Sequence, residues 1–195
     1  MKQSNCHYGL IAKRRTIRLF KQREIPLAIV KRAINAARLA PSAANLQFLE
    51  YLAVRKKLLR EKIFPYTRWG GYVYPKRIPP VGKRPVLYII ILMNKKKSKK
   101  RDSRDAGAAT ENIIISLLAE DVGSCWIASI NKRAISKVLN IPSKYEVDSL
   151  IAAGFPDETP KLETNSKNIK YWLDKRERLH VPKRPLKDIF HSEHF

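Results

Sequence analysis

Three arginines and a hydroxyl stand within five residues in "RRTIR": Arg14, Arg15, Thr16 and Arg18. Guanidinium forks match phosphate oxygens and Thr16 adds another donor, so the stretch has the chemistry of a phosphate cradle. A second concentration of polar groups is "APSAANLQ", where Pro41, Ser42, Asn45 and Gln47 follow the exit of a helical pattern. Capping is one reading, because Pro41 stops a helix while Ser42 and Asn45 can satisfy loose backbone groups. Docking of a planar ligand with hydrogen-bonding edges is the other. Neither stretch decides alone. In a chain with 40 Lys and Arg against 17 Asp and Glu, arginine pairs also arise on solvated helix ends.

The elements that must position these residues are legible in the hydrophobic pattern. Residues 26–40 read as a helix, with Pro26 at its first position and Leu27, Val30, Ile34 and Ala37 on one face. "FLEYLAVR", residues 48–55, alternates like a half-buried strand. "VLYIIILM", residues 86–93, is apolar on both faces, as in a central strand. Residues 105–123 predict a helix capped by Asp105 and ended by Gly123. Its apolar residues face nearly every direction, which implies burial within the domain and against a second subunit. A strand or extended stretch over 124–130, a short helix from Asn131 to Pro142 and a strand over 149–156 follow. Helices and strands interleave, so the class is α/β or α+β. With no repeat and no long linker, the reading is one domain over residues 1–195.

Residues 62–85 fit no element. They hold Phe64, Tyr66, Trp69, Tyr72 and Tyr74 among glycines and prolines. Long irregular segments inside compact domains are usually functional or disordered, and the aromatic content argues against disorder.

The formal net charge is +23. Such a surface attracts nucleic acid, anionic membranes or phosphorylated small molecules without selecting among them. The densest run, "NKKKSKKR" at 94–101, has no aromatic residue for base stacking. It reads as a solvated loop in preference to a polyanion contact, and nucleic acid is not an expected partner. The longest apolar run has nine residues, short of the roughly twenty that span a bilayer. No signal-peptide pattern is visible at the amino terminus, and no membrane partner is expected. Cys6 and Cys125 fall outside any C-x-x-C pattern, which fits a reducing, cytoplasmic setting. Cys125 is expected as buried packing, and His191 and His194 are not expected to hold a metal.

Taken in order, "RRTIR", the helix ending in "APSAANLQ", the apolar helix closing in "VGSCWIAS", "AAGFP" and "HVPKRPLKDIF" resemble the nitroreductase family of FMN-dependent oxidoreductases. The resemblance runs from about residue 14 to residue 189. It implies an α+β, three-layer fold with a central, mostly antiparallel sheet flanked by helices. It further implies a homodimer with FMN at its interface, NADH or NADPH as donor, and a small electron-poor acceptor such as a nitroaromatic or quinone. By the same resemblance Arg14, Arg15 and Thr16 hold the FMN phosphate and ribityl chain. Arg18 lies near the pyrimidine carbonyl, and Lys183 and Arg184 close on the phosphate. The loop of Pro41, Ser42, Asn45 and Gln47 reaches the partner subunit's flavin, and the backbone of Ile127, Ala128 and Ser129 approaches the flavin N5 side. No side chain is assigned as catalytic, because the flavin carries the chemistry. Residues 62–85 are expected to form a mobile lid, with Trp69 and Tyr72 bordering the substrate side. Specialised relatives that dehalogenate tyrosines or fragment flavin are an alternative, as is a basic polyanion-binding protein on the same scaffold.

Overall fold

The computed structural model describes residues 4–99 and 102–194; the Cys6 side chain and the end of the basic run, residues 100–101, lie outside them. Along the chain run α1 (Ser4–Lys13), α2 (Leu27–Arg38), β1 (Leu49–Val54), α3 (Lys57–Ile63) and β2 (Leu87–Asn94). After these come α4 (Ser103–Leu118), β3 (Gly123–Ile127), α5 (Lys132–Val138) and β4 (Tyr145–Gly154). Three short strands close the chain: β5 (Lys161–Thr164), β6 (Trp172–Leu173) and β7 (Leu179–Lys183).

β2 is buried along its whole length and sits inside a four-stranded sheet of order β1-β2-β4-β3. Every pairing in that sheet is antiparallel. Because side chains alternate across a strand, β2 supplies both cores. Leu87, Ile89 and Ile91 pack on one face with Val30, Ala33 and Ala37 of α2 and Ala109, Ile113 and Leu117 of α4. Tyr88, Ile90 and Leu92 pack on the other with Ile63, Trp69, Ile127 and Ile135. Helices on both faces of an antiparallel sheet make the α+β three-layer arrangement. Small residues where α2 meets α4 let the helices approach closely, and Asn112 donates to the Ala36 carbonyl across that seam at 3.0 Å.

Several boundaries differ from the sequence reading for identifiable reasons. Asp102 caps α4, its carboxylate accepting from Arg104 N at 2.8 Å. Asp105 lies inside the helix, buried, and accepts from Ala43 N at 3.0 Å, tying α4 to the loop after α2. Gly123 does not end α4. Asp121 does, in the left-handed region at φ 55°, with Val122 N on the Leu117 carbonyl and Asp121 N on that of Leu118. The face of α2 also shifts, since Leu27 is exposed and Ala33 is buried. Asn131 caps α5 as expected. α1 and α3 carry too few apolar residues at helical spacing to be visible beforehand. The basic run is partly folded down: Asn94 donates to Glu50 at 2.7 Å, and Lys97 pairs with the same carboxylate at 3.6 Å.

Gly123 and Gly154 face each other across β3 and β4. A Cβ on Gly123 would lie 2.7 Å from Ile17 Cγ1, and one on Gly154 would lie 2.9 Å from Phe20 Cβ. Bare backbone at both positions therefore seats the segment that carries the arginines. Thr16 bridges Ser124 in parallel, Ile17 N donates to the Ser124 carbonyl at 2.9 Å, and Phe20 is fully buried. Gly154→Ala should destabilise the fold by about 1–3 kcal/mol, the usual cost of overpacking. Denaturant unfolding checks this, and a loss below about 0.5 kcal/mol would contradict the seat, being within the range of ordinary surface substitutions.

β5 pairs parallel with β7, and β6 antiparallel with β7, in a separate small sheet. At its centre His180 places Nδ1 2.7 Å from Glu163 and Nε2 3.1 Å from Asp174, with the Trp172 ring stacked on the imidazole. The hydrogen bond to Asp174, then that to Glu163, raises the His180 pKa. The bond to His180 is the main cause lowering both carboxylates, and Lys161 adds to the effect at Glu163. The raised histidine contributes stability below its unfolded value of about 6.5 and loses it as pH rises through the folded value. The lowered carboxylates contribute above about 4 and lose it as pH falls through their folded values. Amide protection in β5–β7, normalised for intrinsic exchange, should peak at about pH 5–6 and decline on both sides. A profile flat from about pH 5 to 9 would show that the His180 bridge does not hold this sheet.

Candidate functional site

The parallel bridge between Thr16 and Ser124 sets the direction of the arginine segment along β3. Arg14 and Arg15 lie toward the start of β3, and beyond Ile17 the segment crosses to the residues after β4, where Phe20 bridges Pro156 and the Arg18 backbone N donates to Glu158. Arg14 Nε pairs with Glu111 of α4 at 3.6 Å, and Arg15 donates to the Arg14 carbonyl. Burial, and then the charge of Arg14, lowers the Arg15 pKa. Lys13, Arg14 and Arg15 line a cavity of about 260 Å³ whose floor is Ile17, Gly123 and Ser124. Among the described residues Glu158 is the one acidic residue on it.

Glu158 does more than offset that charge. Its side chain is 6% exposed, and Oε1 accepts from the backbone N of Arg18 and, at 3.1 Å, of Leu19. Its other oxygen lies 3.4 Å from Arg77 Nε, on a guanidinium that also donates to the Glu177 carbonyl. Arg77 belongs to the 62–85 segment, so one buried carboxylate joins that segment to the arginine segment. The Arg18 guanidinium sits 5.1 Å over the Tyr171 ring, while its Nε is buried without a hydrogen-bond partner. Cys125 is buried beside this cluster as a free thiol, and burial pushes its pKa up to about 11. A thiol held protonated is a packing group.

β3 ends at buried Ile127, after which Ala128 and Ser129 are exposed. The 62–85 segment is stitched to this exit. Arg68 N donates to the Ser129 carbonyl at 3.1 Å, Thr67 bridges Ile130, and Asn131 N donates to the Tyr66 carbonyl at 2.9 Å. Trp69 is buried, its indole N–H on Thr67 Oγ1 at 2.8 Å, and that hydroxyl donates to the Phe64 carbonyl at 2.7 Å. Phe64, Trp69, Tyr74 and Ile78 wall a cavity of about 880 Å³, with Ser129 and Arg68 on its lining. Tyr72 is exposed and meets Tyr171 edge to face at 4.9 Å, so Tyr171 links Tyr72 to Arg18.

The loop of Pro41, Ser42, Asn45 and Gln47 lies elsewhere, beside α2, β1 and α4. Pro41, Ser42 and Gln47 line a small pocket of about 190 Å³ with Tyr51 and Asp105. Ser42 Oγ accepts from Gln47 N at 3.2 Å, and the Gln47 amide donates to Asn45 at 2.9 Å. Ala44, Asn45 and Gln47 all have φ between 46° and 52°, a concentration of left-handed backbone that costs energy at each non-glycine position. Among the described residues no hydrogen bond or ion pair joins this loop to Arg14, Arg15, Thr16 or Arg18. Lys183 and Arg184 are exposed; the Lys183 carbonyl accepts from Asn165 N at 2.9 Å, and Arg184 donates to the Asp188 carbonyl. Among the described residues no hydrogen bond or ion pair joins them to the arginine segment.

Arg68, Arg77, Glu158 and Tyr171 were not singled out by their sequence context. Arg68, Arg77 and Tyr171 lie in stretches without a motif, and the roles of all four come from contacts between segments distant in sequence. Glu158 alone had a signal, following the "AAGFP" stretch closely.

The nitroreductase family model matches residues 11–155. An Archaeoglobus fulgidus protein with the provisional name NADH dehydrogenase/NAD(P)H nitroreductase is 27% identical over 76% of this chain and 84% of its own. Iodotyrosine deiodinase of Thermotoga neapolitana is 25% identical, covering 84% of this chain and 96% of its own. The structure of an FMN-dependent nitroreductase from Clostridium difficile R20291 aligns over 96% of this chain and 99% of that one, with a TM-score of 0.69 and 26% identity. With the three-layer fold and a family match across most of its length, this chain belongs to the nitroreductase family.

Proposed function

We propose that the protein is an FMN-dependent oxidoreductase that takes hydride from NADH or NADPH and passes it to an electron-poor acceptor such as a nitroaromatic or quinone. The observation that carries this reading is the basic cavity at the start of β3, the strand whose other end opens at the Ile127–Ser129 exit. A ligand with a phosphate at one end and a charge-accepting ring at the other fits that polarity. The buried, unpartnered Nε of Arg18 fits it as well, since a buried donor without an acceptor is costly.

Arg14, Arg15 and Thr16 would hold the phosphate, with Lys183 and Arg184 closing over it. Arg18 would place positive charge beside the pyrimidine ring, where charge develops on reduction. The backbone of Ile127, Ala128 and Ser129 would orient the ring's reactive edge. Pro41, Ser42, Asn45 and Gln47, which border a different pocket from the arginines within one chain, would serve the site of a second subunit. Bound there, FMN would supply the hydride chemistry at N5. The Trp69 and Tyr72 region would border the substrate side and exclude water. The deiodinase relative supports a second reading, reductive dehalogenation of an aromatic substrate in the same cavity.

Arg14→Ala and Lys183→Ala should each weaken FMN binding by about 1.5–3 kcal/mol, the range for hydrogen bonds to charged groups. Flavin titration of the purified protein measures this, and unchanged affinity in both variants would sink the assignment. Sedimentation should show a homodimer that carries the flavin. A stable monomer retaining FMN would remove the role given to the loop of Pro41 to Gln47.

A further inference from the structure

The cavity beside Ser129 has a composition that narrows its ligand. Its volume of about 880 Å³ falls in the range of small-molecule sites. Its walls are apolar and aromatic, chiefly Phe64, Trp69, Tyr74 and Ile78, and no acidic side chain lines it. Thr67 is already committed on both sides, to Trp69 and to the Phe64 carbonyl. Among the described residues, that leaves Arg68 as the one charged group of the lining. Its backbone N is fixed on the Ser129 carbonyl at 3.1 Å, yet among the described residues its guanidinium makes no ion pair or hydrogen bond. Other arginines of the neighbourhood are spoken for: Arg77 by Glu158, Arg84 by Glu61.

We infer that this cavity selects a flat aromatic acceptor bearing an anionic substituent, a carboxylate or sulfonate, and that Arg68 is the residue that reads the charge. An aromatic ring fills the apolar walls, and the exposed Arg68 guanidinium, with no acidic group on the lining to neutralise it, can pair with the anion at the cavity's edge. Ser129 joins the cavity to the end of β3, so the ring would lie next to the stretch assigned to the flavin. Only the word acceptor rests on the oxidoreductase reading. The charge selection stands on the cavity itself.

The test compares 4-nitrobenzoate with 4-nitrobenzamide, which share ring, nitro group and size and differ in charge. Their binding to the purified protein is measured by calorimetry, with bound flavin quantified in the same sample. The wild type should prefer the benzoate, and Arg68→Ala should weaken benzoate binding by about tenfold or more while changing the amide by less than about twofold. Arg68→Lys should restore part of the preference. Lys31→Ala, which removes one exposed charge from α2, should leave the preference intact and so separate Arg68 from the general basic surface. Equal effects of Arg68→Ala on both ligands, or none, would overturn the inference. It would also fall if the variant raised the KM for NADH while sparing the benzoate preference, since Arg68 would then serve the donor. Charge selection without bound flavin would retain the anionic aromatic ligand and remove the oxidoreductase reading. Flavin present with no charge selection would do the reverse.

Discussion

Gly123 and Gly154 are paired across β3 and β4, and the absence of two side chains there creates the surface on which the arginine segment lies. Ile17 and Phe20 fill the space that two Cβ atoms would have taken, and both are buried. Once those apolar residues are seated, the parallel bridge to Ser124 fixes the register of Arg14, Arg15, Thr16 and Arg18. A shift of one residue would take both Ile17 and Phe20 out of the space that the two glycines leave. Burial of two large apolar side chains, each worth about 1.5–3 kcal/mol, therefore orders the charged groups of the site.

Buried charge completes what the hydrophobic seat begins. Glu158 and Arg77 are both nearly inaccessible, so each loses its hydration and depends on the other and on nearby backbone groups. Glu158 receives two backbone N–H groups of the arginine segment, and Arg77 reaches the Glu177 carbonyl. Removing either partner would strand a charge in a poorly solvated place, the costliest kind of buried defect. Three segments far apart in sequence are held together by this one cluster.

The aromatic segment shows how a region without periodicity can still be specified. Trp69 is buried by a chain of hydrogen bonds through Thr67 to the Phe64 carbonyl, and by stacking on Phe64 at 6.0 Å. Its neighbours Tyr66, Thr67 and Arg68 fasten to the turn after β3 through backbone contacts. Gly70, at φ 57°, turns the chain beside Arg77, where a Cβ would meet the Arg77 side chain at 2.9 Å. Tyr72 and Tyr74 remain exposed, with Tyr72 resting on Tyr171. The segment thus combines an anchored half with an open rim, and the cavity lies between them.

The amino-acid sequence by itself determined the elements with strong local signatures: α2, β1, the central strand β2, α5 with its Asn131 cap, and the resemblance that named the family. These rest on periodicity, chain-breaking residues and ordered short motifs, all of which act within a few residues. It did not determine the ends of α4, because Asp102 and Asp105 are both plausible caps and Asp105 is taken instead by Ala43 N, a partner 62 residues away. Nor could it place β5, β6 and β7, whose few residues pair only once the chain has folded and His180 has found Glu163 and Asp174. Glu158, Arg77, Tyr171 and Arg68 belong to the same class. A charge or ring gains a role from what surrounds it, and burial, ion pairing and stacking between distant segments are properties of the tertiary structure alone.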